Sequence, residues 1–106
     1  LLETRRAEIV LSIRPEFLQQ HGFVHGGVIS YLIDNVLTFA GGSALGTDVV
    51  TVEFKVNYLR PARGEKLLAR AIVEHAGKRL AVCRAEAFTL PEEKRVAVGL
   101  GTIALR

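Results

Sequence analysis

From Gly26 to Thr47 the chain runs through 22 residues with a single charged side chain, Asp34. Charged residues are 24% of the whole, so an even spread would put about five in such a stretch. Val28, Ile29, Leu32, Ile33, Val36 and Ala40 recur at helical spacing, which predicts a helix over 27–45. A helix lying on a sheet with one face in water keeps a charged stripe. This one lacks it, which predicts cover nearly all round. At ~1.5 Å per residue the helix is ~28 Å long. Covering that length takes a sheet curled around it and a second chain.

Such a sheet is readable in the flanking sequence. Residues 7–13 place Ala7, Ile9, Leu11 and Ile13 on one face of a strand. Pro15 is expected to open a short helix and Gly22 to close it. After the long helix, residues 49–59 alternate, with Val50, Val52, Phe54, Val56 and Tyr58 on one face. Thr51, Glu53, Lys55 and Asn57 then fall on the other. The Arg60–Glu65 stretch reads as a turn. Residues 66–75 make the next strand, Ala76–Gly77–Lys78 a hairpin turn, 79–89 a strand ended by Pro91, and 95–105 the last strand. Ala81, Cys83, Ala85 and Ala87 share one strand face, as do Ala97, Gly99 and Gly101. Such small residues let a helix or a partner's backbone come close. The order predicts an α+β fold in one domain, 1–106.

Composition narrows the class. At 49% hydrophobic the chain is not disordered. One cysteine excludes a disulfide framework and a multi-cysteine metal site. No uninterrupted apolar run reaches the ~18 residues of a membrane span, so a soluble, cytoplasmic protein is expected. A net charge of +3 suits an anionic small ligand and is too mild to argue for nucleic acid.

Asp34 sits among Leu32, Ile33, Val36 and Leu37, and no Lys or Arg lies within two helical turns of it. A carboxylate in apolar surroundings is costly unless it is hydrogen-bonded or paired. Gly27, Ser30, Asp34, Thr38 and Gly41 share one helix face at spacings of three and four, a narrow polar groove. Asp34 could bind a neighbouring backbone amide there, but its isolation favours a functional role. His25-Gly26-Gly27 opens the helix. First-turn N–H groups are free and carry the positive end of the dipole. Glycine lets a ligand oxygen approach them, so this is an oxyanion or anion site in outline.

The run HGFVHGGVISYLIDNVLTFAGG, followed by VEFKVNYLRPARGE and HAGKRLAVCRAE, resembles the hotdog-fold acyl-CoA thioesterases, in particular the PaaI-like branch of phenylacetate metabolism. The resemblance covers about residues 7–104. It implies a long central helix wrapped by a curved antiparallel sheet, and hydrolysis of an acyl-CoA thioester. It implies that the Gly26 amide polarises the thioester carbonyl and that Asp34 is general base or nucleophile. Gln19 stands where many relatives have Asn, and would position the carbonyl or the water. A hydroxyl assists the acid; Thr38, one turn on, and Thr51, early in the next strand, are both candidates. His25 is expected to fix the turn by side-chain hydrogen bonds, with Gly27 beside it at the substrate; His21 reads as a loop residue near the site. Arg60, Arg63, Lys66, Lys78 and Arg79 cluster in two turns and could hold coenzyme A phosphates. Cys83 reads as packing. No metal and no cofactor beyond the substrate's own coenzyme A are expected.

Gly26 and Asp34 are eight residues apart on one helix, ~12 Å along its axis. An oxyanion donor and a base must both sit ~3 Å from neighbouring substrate atoms. Two antiparallel helices at a homodimer interface satisfy that where one chain does not, with a dimer of dimers as a further step. Two rival readings remain at this level: a hotdog dehydratase or hydratase with His21 or His25 as base, and a non-catalytic acyl-CoA-binding module.

Overall fold

The computed structural model describes residues 2, 3 and 5–106. A two-residue strand β1 (Leu2–Glu3) is followed by β2 (Arg6–Ser12) and one 3-10 turn (Pro15–Phe17). Then come helix α1 (Gly26–Leu45) and strands β3 (Val49–Tyr58), β4 (Lys66–Ala76), β5 (Leu80–Leu90) and β6 (Lys94–Leu105). They form one antiparallel sheet in the order β1-β2-β4-β5-β6-β3. All six strands touch α1, so the sheet curls around the helix in the hotdog architecture.

Alternation explains the inner face. Ala7 of β2, Leu67, Ala69 and Ala71 of β4, Ala81, Cys83, Ala85 and Ala87 of β5, and Ala97 and Ile103 of β6 are buried against Ile33, Val36 and Leu37 of α1. The small-residue faces are where the helix comes closest. A Cβ on Gly99 would lie 2.8 Å from Ile33 Cγ2, and one on Gly41 would lie 2.6 Å from Ile103 Cβ. Gly41→Ala therefore sets two effects against each other. Helix propensity gains about 1 kcal/mol, while overpacking against a strand-borne Cβ costs about 1–3 kcal/mol. Ile103 is fully buried and has no room to retreat, so the clash wins. Urea unfolding should show a lower midpoint for Gly41→Ala; an unchanged or raised midpoint would contradict this packing.

Three expectations are corrected. No helix spans Pro15 to Gly22: after the 3-10 turn, Leu18 bridges Val24 and Gly22 takes φ +83° in a tight turn, its N–H bonded to Gln19 O at 2.9 Å. That left-handed conformation is why glycine stands there. In β3 the pairing shifts between Thr51 and Glu53. The bulge at Val52 splits the expected apolar face: Val50 and Val52 are exposed, at 41% and 58%, while Phe54 and Val56 pack on the core. Two residues opposing one on the partner strand reverse the alternation, so Thr51 turns toward α1 instead of sharing a face with Glu53. The chain's own sheet covers one side of α1; Tyr31 (68% exposed) and Phe39 (53%) stand on the other, the side the sequence leaves to a second chain. Finally, α1 is long and apolar enough to cross a membrane by length and composition. Its complete burial at Ile33, Val36 and Leu37 against the sheet makes it the core helix.

Candidate active site

The approach to α1 is lashed down by backbone bonds. Gln19 N–H donates to Phe23 O (2.8 Å), Val24 N–H to Ala62 O (3.0 Å) and His25 N–H to Phe17 O (2.8 Å). The loop before the helix is thereby held against the segment after β3. Between them lies a cavity of about 250 Å³ whose walls include Gln19, Gly26, Ile29, Tyr58 and Arg60. Gln19 and Gly26 are thus brought together. The Gln19 side-chain oxygen accepts the His21 backbone N–H, so its amide NH2 is the group it can offer a ligand. His25 is the N-cap residue but makes no side-chain cap bond. The expected side-chain role in fixing the turn is replaced by its backbone N–H, because that donor meets Phe17 O directly. His21 is exposed on the loop. Gly27 is exposed too, with open space where a Cβ would stand.

Two turns along, Asp34 is half-buried on the side of α1 that the sheet leaves open. Thr51 Oγ1 donates to Asp34 Oδ1 at 2.7 Å. Thr38 Oγ1 lies 2.8 Å from Asp34 O and 3.0 Å from Thr51 Oγ1. Two hydroxyl protons serve three contacts. The charged acceptor makes the stronger bond and takes the Thr51 proton, leaving the Thr38 proton to be shared. Thr51 therefore reaches the carboxylate, and Thr38 supports it from behind. Among the described residues no cation pairs with Asp34. The carboxylate is oriented without being neutralised. It does not line the Gln19–Gly26 cavity, so the two groups stand apart within one chain.

The basic turns are not brought together. Arg60 lines the cavity and the Arg63 guanidinium stacks over Phe23 at 4.1 Å. Lys78 and Arg79 sit in the β4–β5 hairpin at the other end of the sheet, where Arg79 Nη2 donates to Leu105 O at 3.3 Å. Strand register separates them: that hairpin adjoins the Ala81–Ile103–Thr51 row, whereas Tyr58 pairs with Ala97 at the opposite end. Cys83 is fully buried and desolvation pushes its thiol up to about 11, against a smaller opposing effect of Arg5. It is a packing residue, as expected. In the sequence Tyr58 is one member of an apolar strand face. Its hydroxyl in fact donates to Gly26 O at 2.8 Å and lies 2.6 Å from Ser30 Oγ. A phenol at the end of a strand, just before a turn, was the available signal.

A curled sheet around an apolar helix, with a glycine-opened N-terminus and an unpaired carboxylate, matches a known class. The thioesterase superfamily profile fits residues 21–96. A Deinococcus radiodurans protein, provisionally named an esterase, is 36% identical over 99 residues, 92% of this chain and 66% of its own length. Human acyl-coenzyme A thioesterase 13 is 30% identical over 94 residues, 87% of this chain and 67% of that one. Among solved structures, a thioesterase family protein from Silicibacter pomeroyi superposes with a TM-score of 0.92 at 34% identity, over 98% of this chain and 79% of that one. The E. coli PaaI protein from the phenylacetic acid degradation operon does so at 0.88 and 25%, over 98% and 75%. The chain belongs to the thioesterase superfamily. It spans slightly less than two thirds of the Deinococcus relative's length.

Proposed function

We propose that this domain hydrolyses acyl-CoA thioesters at a site shared between two copies of the chain. The carrying observation is Asp34: a carboxylate aimed by Thr51, paired with no described cation, on the open side of α1. The reaction consumes one water and yields a carboxylic acid and the coenzyme A thiol. Asp34 takes a proton from water as its oxygen attacks the thioester carbon, or attacks that carbon itself and is released by water. The carbonyl electrons move onto oxygen, which the Gly26 N–H stabilises with the helix dipole behind it. Collapse expels the thiolate, which takes up the proton. Gln19 holds the carbonyl or the water beside Gly26. Arg60 in the cavity wall and Arg63, stacked on Phe23 of that wall, suit the phosphates of coenzyme A, and His25 and Gly27 border the substrate. Lys78 and Arg79 would reach it only from a partner chain. No metal takes part in this scheme, and the substrate's coenzyme A is its only cofactor-like group. A soluble cytoplasmic enzyme fits such a substrate.

Assembly follows from the separation of the half-sites. Gly26 and Asp34 stand ~12 Å apart along α1. β3 is an edge strand of ten residues, and a long open edge invites pairing. Antiparallel pairing of two β3 edges sets two α1 helices side by side, Gly26 of one near Asp34 of the other, and covers Tyr31 and Phe39; pairs of dimers can then associate. Light scattering at micromolar concentration should give at least twice the chain mass of 11.6 kDa, with an interface in the obligate class, above ~2,000 Å². A monomer at that concentration would sink the shared site.

Incubation with a panel of acyl-CoA thioesters, with release of free thiol as the readout, tests the activity. Thiol release supports it. Water addition to enoyl-CoA would instead mark a hydratase, and tight binding without turnover a binding module. The two hydroxyls should separate in the same assay. Thr51→Ala should slow turnover about ten- to a hundredfold, since a charge-assisted bond is worth roughly 1.5–3 kcal/mol. Thr38→Ala should cost clearly less, and the reverse order would contradict the hydrogen-bond arrangement.

A further inference from the structure

The helix that carries the Gly26 donor begins badly by the ordinary rules. Its first two residues are glycines, which lose more backbone freedom on ordering than any other residue. Its N-cap residue, His25, makes no side-chain cap bond, although capping by a side-chain oxygen is the usual way to hold a first turn. An oxyanion donor needs the opposite, an amide fixed in direction before the substrate arrives. Something outside the helix has to supply the rigidity.

Tyr58 touches the start of this helix at three points. Its hydroxyl donates to Gly26 O at 2.8 Å. That spends its one proton, so the 2.6 Å contact with Ser30 is a bond donated by Ser30 Oγ–H. The Tyr58 ring also walls the Gly26 Cα: a Cβ there would stand 3.2 Å from ring atom Cζ. The phenol is 52% exposed, so it adds little to the core. Its polar end is nevertheless fully engaged with the helix start, and it lines the same cavity as Gln19 and Arg60.

We infer that Tyr58 is a positioning residue for the oxyanion donor, clamping the uncapped Gly26–Gly27 turn through its hydroxyl and its ring. β3 then grips α1 beside both chemical groups, with Thr51 on the Asp34 carboxylate and Tyr58 on the Gly26 carbonyl and Cα, next to the donor N–H. The inference rests on the thioesterase reading for its kinetic consequence. The clamp itself is a statement about the backbone at Gly26.

Tyr58→Phe keeps the ring and removes the clamp's hydrogen bonds. With an acyl-CoA that the wild type hydrolyses, kcat should fall about tenfold with KM within twofold. Affinity for the corresponding alkyl-CoA thioether, which has no carbonyl for Gly26 to hold, should stay within twofold. The backbone order parameter of the Gly26 amide should drop, while the melting temperature moves by only a few degrees. Ser30→Ala, which retains the hydroxyl and the ring, should give a smaller loss of kcat. The double variant should be no slower than Tyr58→Phe alone, as for two members of one network. An unchanged kcat in folded Tyr58→Phe, or a loss carried by KM and thioether affinity, would overturn the assignment. If the wild type hydrolyses no acyl-CoA, the functional reading fails by itself. The Gly26 order parameter then decides the clamp: a drop on Tyr58→Phe supports it, and no change refutes it.

Discussion

Replacing Asp34 with Asn should lower turnover of acyl-CoA by at least ~10², the contribution expected of a positioned general base. The shape of the side chain is preserved, so the helix has no reason to unfold. An amide oxygen can still accept the Thr51 hydroxyl proton that Oδ1 accepts at 2.7 Å. What disappears is the anion that takes a proton or attacks carbon. Asp34 is half-buried and among the described residues forms no ion pair. Removing its charge therefore leaves no orphaned partner, the usual source of large destabilisation. The variant should melt close to the wild type while kcat collapses. Near-normal hydrolysis in a well-folded Asp34→Asn protein would remove Asp34 from the chemistry.

Much of the fold was readable because its physical signals are strong and local. The uncharged run after Gly26 announced a helix without a solvated charged stripe, and the alanine and glycine faces of β5 and β6 announced close helix packing; the packing holds on the sheet side of α1, with Gly41, Gly99 and Gly101 at the contacts. What was hidden depended on one inserted residue or on distant partners. Val50, Val52 and Phe54 are all apolar, so nothing in the pattern betrayed that Val52 is a bulge. Only the pairing with β6 shows that Thr51 turns inward. Pro15 correctly marked a helical start, but one 3-10 turn satisfied it. Gly22 reads equally as a helix end, because a positive φ in a loop and a helix end call for the same residue. Tyr58 lies 32 residues from Gly26, and no periodicity links positions that the β3 crossing of α1 brings together. Likewise the two basic turns look equivalent along the chain, and strand direction puts them at opposite ends.

The central claim is that each reaction uses Gly26 of one chain and Asp34 of another. Gly26→Val places bulk against Tyr58, where even a Cβ would stand 3.2 Å from the ring, and so spoils the donor side. Asp34→Asn spoils the acid side. Each variant alone should be nearly inactive, and thermal melting should show that both are folded. Mixed dimers of the two, purified through distinct tags, then give a decisive readout. In a shared arrangement one site of every mixed dimer carries both lesions and the other carries neither. Activity should return from near zero to about half that of the wild type, as for independent sites. If each site lies within a single chain, both sites keep one lesion. Purified mixed dimers that remain inactive would contradict the shared site.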